Sequence, residues 1–560
     1  MSNDDFKFAR DFLLALRDNY HAAKAGFVWP RLERFNWAFD WFDDELAAGE
    51  HGAKPALKIL GDKVETYSFA ELSQASSRLA NGFRALGAKR GDRLLLMLDA
   101  VAPLWITTLA AMKLGLVTIP AATQLAPAEI DDRLARGRPR FIVADGAEAG
   151  KFAARGEGAE RIAVGAAPEG WRDYAALFSA NPHFDPDGDT LADDPLLLYF
   201  TAGTTARPRL VLHSHASYPI GHLTTMFGLG VQPGDAHLDV STPGWAKHAG
   251  LSLFAPWNAG ACVLALAGRP EPRAILDALV AHQATSFCAP PTVWRQLVRL
   301  DLGRRQVALR EVNSSGEPLD PEIIEQVGRA WGLTLRDSYG QTETTMMIGN
   351  PPGQKIVPGS MGRPLPGYRI VLLDGEGLES DRGEIVVALA PSPVGLMRGY
   401  QVEEGEPGEV EGGCHRTGDI GRRDAEGYIA YVGRADELFK SSDYRLSPFE
   451  LESALIEHPA VAEAAVAPAP DAIRLTIPKA YVALAAGHAP DRAAALSIFT
   501  YLHGRLAPYQ RIRRIEFGEL PKTPSGAIRR ADLRAREDAL AAKGERAERE
   551  FRLEDFPEVG

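Results

Sequence analysis

Residues Tyr199 to Arg209 read YFTAGTTARPR and stand between two apolar runs, Pro195 to Phe200 (PLLLYF) and Leu210 to Leu212. Both runs have the look of short strands. Between them come Thr201, Ala202, Gly203, Thr204, Thr205, Ala206, Arg207, Pro208 and Arg209. Small residues let backbone N–H groups approach a polyanion, hydroxyls add donors, and Arg209 places a cationic fork at the end. This composition suits a phosphate cradle between two strands. It is not a Walker loop, since no GxxxxGK[ST] is present, and an ordinary Gly/Thr hairpin turn shares the same local make-up.

Upstream, strands and helices alternate from Lys54 onward. Tyr67 to Leu86 has helical spacing, with Ser68 as N-cap and Glu71 three residues on. The strand Arg93 to Met97, a helix to Leu114, the strand Val117 to Ile119, a helix near Ala128 to Arg136 and the strand Phe141 to Val143 follow. This alternation predicts an α/β fold with mixed or parallel sheets under helical cover. The first 50 residues are rich in Phe, Tyr and Trp and read as helices packed over the main body, or as an interaction surface.

Downstream, HSHASY (His213 to Tyr218) reads as the start of a helix; a metal pair of His213 and His215 lacks a third ligand at a useful spacing. Trp245, His248 and Trp257 punctuate a Gly-rich apolar segment that suits either a pocket wall or plain core. DSYGQTETT (Asp337 to Thr345) follows a strand-like Leu333 to Leu335. Ser360 to Tyr431 reads as a small β-rich subdomain. Beyond Arg434 a compact α+β module begins, dividing the chain into residues 1–434 and 435–560. Arg530 to Gly560 reads as a solvated, charged terminal helix.

With 560 residues the chain exceeds one hydrophobic core. A net charge of −12 argues against a general nucleic-acid binder. The three cysteines are far apart, which argues against a disulfide framework or zinc site. The start, MSNDDFKFAR, lacks the layout of a secretory signal, and Lys113, Gly115 and Pro120 interrupt the most apolar stretch, Leu104 to Ala122. Cytoplasmic residence without membrane association is the expectation; a homodimer is compatible with the sequence.

Chemistry picks out further residues. Asp419 in a TGD turn can accept from the two vicinal hydroxyls of a ribose, and Arg434, fifteen residues on, can serve the same sugar. Glu343, flanked by the hydroxyls of Thr342 and Thr344, offers the oxygens that a hard cation such as Mg²⁺ takes.

In order along the chain, YFTAGTTARPR, DSYGQTE, YVGRADELFKSSDYRLSPFELES and LPKTPSGAIRR closely resemble the phosphate loop, nucleotide motif, hinge segment and C-terminal motif of the adenylate-forming superfamily. FNWAFDWFD (Phe35 to Asp43), GWAKHA (Gly244 to Ala249) and SSDYRLSPFE point to its medium-chain acyl-CoA synthetase branch. The resemblance covers about residues 30 to 535. It implies that ATP, Mg²⁺, coenzyme A and a small carboxylic acid are used, with an acyl-adenylate formed first and the thioester second. It also implies a large N-terminal domain and a small mobile C-terminal lid. Thr201 to Arg209 would hold phosphates. Gly316, Glu317 and Pro318 would flank adenine, and Asp337, Ser338, Tyr339, Gly340, Gln341 and Thr342 would line the nucleotide and acyl sites. Asp419 and Arg434 would bind ribose, and Glu343 the metal. Trp245 and His248, with Gly340 and Thr342, would shape the acyl pocket. Ser442, Asp443, Tyr444 and Arg445 would line the CoA passage, with Arg474 on a CoA phosphate and Asp436 as the hinge.

Four departures stand out. Ala202, Ala206 and Arg209 replace commoner phosphate-loop residues, with Arg209 keeping the charge. Asp443 stands where relatives usually carry Gly. Gly340 stands where acetate-using relatives carry a Trp, implying a branched, medium-chain or aromatic acid. Ala527 stands where the family has its catalytic lysine, so adenylation is expected to be crippled. Two alternatives to an acyl-CoA synthetase are an adenylation enzyme that loads a carrier protein and a non-catalytic nucleotide- or acyl-binding homologue.

Overall fold

The computed structural model describes residues 4–152, 158–201, 208–268, 270–401, 413–441, 444–471, 475–522 and 528–559, the side chains of Lys440, Tyr444, Arg445 and Leu475 excepted. Among these residues, two large sheets dominate the first 364 positions. In the eight-stranded sheet, Arg93–Met97 pairs in parallel with both Val117–Pro120 and Phe141–Asp145. Leu94 to Met97 are buried on both faces, which is why the run is continuously apolar. Val117–Pro120 meets Pro195–Thr201, which turns back antiparallel as Arg209–Ser214. The phosphate-loop segment therefore connects two strands of one hairpin, and Gly399–Tyr400 pairs along the outer side of that hairpin.

The helix Phe69–Ala85 shows how local sequence sets an element. The Ser68 hydroxyl accepts from the Glu71 amide at 3.2 Å, and the Glu71 carboxylate accepts from the Ser68 amide at 2.8 Å. Leu72, Leu79, Ala80 and Phe83 recur at helical spacing and are buried. Gly87, at φ 82°, takes the chain out of the helix in a conformation that favours glycine.

The nine-stranded sheet sets Ser286–Ala289, Glu311–Ser315 and Leu335–Gly340 side by side in parallel. Their carboxyl ends emerge together, and such ends are where open α/β sheets receive ligands. A four-stranded antiparallel sheet, Ile370–Leu373, Arg382–Ala388, Cys414–Arg423 and Ile429–Arg434, forms the expected β-rich subdomain. Its register pairs Asp419 directly with Arg434, so the fifteen-residue spacing puts both residues at one place. Residues beyond 445 have their own core, with Leu451, Leu455, Val466, Ile498, Phe499 and Ile515 at its centre. This is the small C-terminal domain: the helix Pro448–Ile456, the antiparallel pair Val461–Asp471 and Leu475–Leu484, the helix Arg492–His503 and the strand Arg514–Phe517.

Two expectations are sharpened and two need correction. The N-terminal segment is helical and packs on the main body as expected, and its aromatics enter the main core: Phe6, Trp29, Phe35, Trp37, Trp41 and Phe42 are buried, whereas Phe8 is largely exposed, at 74%. Of the two readings open for Trp257, core packing holds: it belongs to the same cluster, 6.4 Å from Trp37 ring to ring. HSHASY does not open a helix; the strand runs through Ser214, and the helix begins at Ser217 because Ser214 and Ser217 each accept from the other's backbone amide. The tail is not simply a solvated helix. Arg530–Lys543 is helical, but Glu550–Arg552 then adds a strand beside Arg514–Phe517, and Phe556 and Val559 join the core.

Candidate active site

The strand Leu335–Gly340 contains the DSYG motif, rather than preceding it, and carries Asp337 to Gly340 to the sheet's carboxyl end. There it meets Gly316, Glu317 and Pro318, which follow the adjacent strand, and Asp419 from the β-rich subdomain. Together with Gln341, with Met361, which lies in no quoted motif, and with Tyr431, which opens the hinge motif but was given no role, they line a cavity of about 200 Å³. The spacing that places Ile429 to Arg434 opposite Asp419 was the signal that could have found Tyr431.

Asp419 is the polar centre of this cavity. Its Oδ2 accepts from Gln341 Nε2 at 2.6 Å and from the Tyr339 hydroxyl, and its Oδ1 accepts from Arg434 Nη1 at 3.2 Å. Burial pushes its pKa up, while the Arg434 guanidinium pulls it down. Arg434 also donates to the Thr417 carbonyl at 3.2 Å and to Asp436 at 3.2 Å. The residue opposite Asp419 is therefore tied to the proposed hinge residue as well. Glu317 faces Arg295 at 3.5 Å.

Asp337 differs. It is buried with Lys247 as its nearest counter-charge, and burial raises its pKa to about 8. The unfolded value lies near 3.9. Between roughly pH 4 and pH 8 the folded chain thus holds a proton that the unfolded chain does not, and stability falls as pH rises through that window. Asp337→Asn has no such proton to lose. Its stability relative to the parent is expected to improve on going from about pH 6 to about pH 9, by on the order of 2 kcal/mol. Denaturant melts at both pH values test this, and an unchanged difference would reject it.

At the phosphate hairpin, Thr201 closes the first strand and its hydroxyl donates to the Arg209 carbonyl at 3.4 Å. Pro208 and Arg209 resume the described chain; Ala202, Gly203, Thr204, Thr205, Ala206 and Arg207 lie outside the described residues. Glu343 sits beside this hairpin, with one carboxylate oxygen accepting from the Tyr400 hydroxyl at 2.9 Å. His213, not chosen as a site residue, donates from Nε2 to the Thr342 carbonyl at 2.7 Å while Nδ1 accepts from Ser217. Burial lowers its pKa to about 4, so it is a neutral clamp between the hairpin and the turn that carries Glu343. An Mg²⁺ ion fits the donors here: the Glu343 carboxylate and the Thr342 hydroxyl are both oxygens, the ligand type this cation takes. Thr344 does not join them, because its buried hydroxyl donates to the Thr345 carbonyl and accepts from the Gln341 amide.

The acyl-pocket candidates converge through intermediaries. The Tyr218 hydroxyl donates to the carbonyl of Ala246, between Trp245 and His248, and the Tyr218 ring lies 4.5 Å from His213. Lys247 donates to the Ser315 carbonyl at 2.6 Å, beside Gly316. His248 packs against Trp105, and burial lowers its pKa to about 4, so the ring is neutral. Gly340 has a second reason to be glycine. A Cβ there would lie 2.2 Å from the Thr345 carbonyl oxygen, so any side chain needs the backbone to move. Of the CoA candidates, Ser442, Asp443 and Arg474 lie outside the described residues, as does Ala527; Tyr444 and Arg445 belong to a two-stranded ribbon with Phe439–Ser441.

A cleft at the carboxyl ends of parallel strands, the hairpin of Pro195–Thr201 and Arg209–Ser214, and a small C-terminal domain with its own core together fit an adenylate-forming enzyme. The family model described as AMP-binding enzyme matches residues 45–401, and that described as AMP-binding enzyme C-terminal domain matches residues 450–527. Among curated relatives, 4-hydroxybutyrate–CoA ligase 1 of Metallosphaera sedula is 42% identical over 533 residues, covering 93% of this chain and 94% of that one. The mitochondrial acyl-coenzyme A synthetase ACSM3 of Mus musculus is 35% identical over 541 residues, covering 93% of each. Among solved structures, an anthranilate CoA ligase bound to anthranoyl-AMP superposes with a TM-score of 0.82 at 27% identity, covering 91% of this chain and 98% of that one. A benzoate CoA ligase from Burkholderia xenovorans gives 0.77 at 28% identity, covering 89% and 100%. The chain belongs to the AMP-binding enzyme family, among its acyl-CoA synthetases. ATP, Mg²⁺ and coenzyme A are the family's cosubstrates and metal. Among the described residues no helix is long and apolar enough to cross a membrane.

Proposed function

We propose that this chain converts a carboxylic acid larger than acetate, ATP and CoA into an acyl-CoA, AMP and pyrophosphate, and that Ala527 slows the first half-reaction. The observation that carries this reading is the cavity of about 200 Å³ in which residues 316–318, 337–341 and 419 meet. The relatives named for 4-hydroxybutyrate, anthranilate and benzoate support an acid of more than two carbons.

In the first half-reaction the acid's carboxylate attacks the α-phosphorus of ATP and pyrophosphate leaves. The adenine lies against Gly316 to Pro318, and the ribose hydroxyls donate to Asp419, whose orientation Gln341 and Arg434 fix beforehand. Thr201 to Arg209 hold the phosphates, Arg209 countering their charge. Bound Mg²⁺, held by Glu343 with Thr342 beside it, offsets charge on the phosphate oxygens. Trp245, His248, Gly340 and Thr342 border the acyl group. In the second half-reaction the CoA thiolate attacks the acyl carbon and AMP leaves, with Ser442 to Arg445 and Arg474 along the CoA path. Residues 435–560 turn as a lid about Asp436 between the two steps. Cytoplasmic residence fits three free cysteines. No nucleic-acid partner is proposed, and size-exclusion chromatography decides between monomer and homodimer.

A panel of acids scored by CoA consumption tests this on the Ala527→Lys variant. Medium-chain, branched, hydroxylated or aromatic acids are expected to exceed acetate in kcat/KM, since each buried CH₂ contributes about 0.8 kcal/mol. Equal or better use of acetate would refute the size assignment. Pyrophosphate exchange without CoA consumption, relieved by a carrier protein, would favour carrier loading.

A further inference from the structure

The edge strand Gly399–Tyr400 lies in none of the motifs that mark the site, yet it touches two of them. The Arg398 and Gln401 amides donate to the Leu212 and Leu210 carbonyls at 2.8 Å each, lacing the segment to the strand that leaves the phosphate hairpin. The Met397 amide donates to the Glu343 carbonyl at 2.8 Å. The Tyr400 side chain repeats the same bridge. Its hydroxyl donates to Glu343 Oε1 at 2.9 Å and accepts from Arg209 Nη1 at 3.4 Å. The Arg209 guanidinium also lies 5.0 Å from the centre of the Tyr400 ring.

We propose that Tyr400 is a positioning residue for the nucleotide: its hydroxyl orients the Glu343 carboxylate and its ring seats Arg209, so that the metal-binding acid and the phosphate-binding cation are set as one unit. This rests on the roles given above to Glu343 and Arg209. A carboxylate's terminal torsion is broad and roughly two-fold, so an acid held by nothing spends much of its time misdirected. The tyrosine hydroxyl occupies Oε1 and turns Oε2 into the defined remaining position. Arg209 is exposed at the mouth of the hairpin. A flat ring beneath it restricts the guanidinium, through the attraction between a cation and an aromatic face. Packing alone would need only phenylalanine here. Among the described residues, the hydroxyl's hydrogen-bond partners are Glu343 and Arg209.

Tyr400→Phe keeps the ring and loses the hydroxyl; Tyr400→Leu loses both. Calorimetric titration of ATP into the chain as written, with and without Mg²⁺, separates the two effects without needing turnover. In Tyr400→Phe the gain in ATP affinity caused by Mg²⁺ is expected to shrink about tenfold, the scale of one hydrogen bond to a charged group, while affinity without Mg²⁺ stays within about twofold. In Tyr400→Leu affinity without Mg²⁺ should fall as well, by about threefold or more, because Arg209 loses its seat. A Tyr400→Phe protein whose Mg²⁺ dependence matches the parent overturns the proposal. If the parent itself binds ATP with no help from Mg²⁺, the Glu343 assignment fails and the proposal with it. If the parent shows that help and Glu343→Gln abolishes it while Tyr400→Phe does not, the site reading stands and Tyr400 alone is rejected. Thermal melts of both variants identify any that fail to fold, and the Phe variant, which preserves the packing, decides.

Discussion

Ala527→Lys is expected to raise the rate of acyl-adenylate formation by at least about 10². The C-terminal motif LPKTPSGAIRR keeps every feature of the family's loop except the ammonium. In the family that lysine reaches the carboxylate and α-phosphate as charge builds between them, and loss of one positioned donor typically costs about 10²–10³ in rate. Positions 523–527 lie outside the described residues, but the cations that flank them are described, and each of the three named next is already engaged. Lys522 pairs with Glu463 at 2.7 Å, Arg529 with Asp532 at 3.0 Å, and Arg530 forks onto Glu452 at 2.7 Å and Glu437 at 3.2 Å. None is available to substitute without giving up a partner. Pyrophosphate exchange by parent and variant on the same acid measures the effect. Equal rates would reject a role for position 527.

The second large effect is structural. Lys479→Ala is expected to destabilise the C-terminal domain by about 3–5 kcal/mol. Lys479 is fully buried, and its ammonium meets Glu516 at 2.9 Å, Glu537 at 2.6 Å and Glu550. Burial opposes the charge, but the three carboxylates together outweigh it and raise the lysine's pKa. These acids converge closely enough to suggest a metal cage, but the ammonium fills it. Truncating Lys479 leaves three buried carboxylates with only the flanking arginines, Arg514 on Glu537 and Arg552 on Glu550 among them. Breaking one side of a buried charge cluster costs far more than its net worth, because the remaining charges lose compensation. Hydrogen exchange read over residues 461–559 should show the loss, while ATP still binds the N-terminal domain. Unchanged protection there would contradict this account of the cluster.

Lys479 also marks where sequence reading stops. Its three partners come from a strand, a helix and a terminal strand up to 71 residues away. Nothing in local pattern announces that they meet, and the charged tail accordingly read as solvated. Elements whose cause is local were legible: the Ser68–Glu71 box, the all-apolar strand Arg93–Met97, and the hairpin around residues 201–209. Asp419 and Arg434 were legible because a two-strand register brings fifteen residues back to one point. Tyr400 and His213 were not, since each acts through a neighbour in another element and neither is an unusual residue in its own segment. Gly340 was legible as an absence of bulk, but its crowding against the Thr345 carbonyl depends on a strand irregularity that only the fold creates.

The central claim is that one site makes an acyl-adenylate and passes the acyl group to CoA. The most direct test incubates the Ala527→Lys protein with its best acid, Mg²⁺, ATP and CoA and identifies all products by mass spectrometry. Acyl-CoA, AMP and pyrophosphate in equal amounts are predicted. Formation of ADP in place of AMP, or AMP released without any acyl-CoA, would contradict the account.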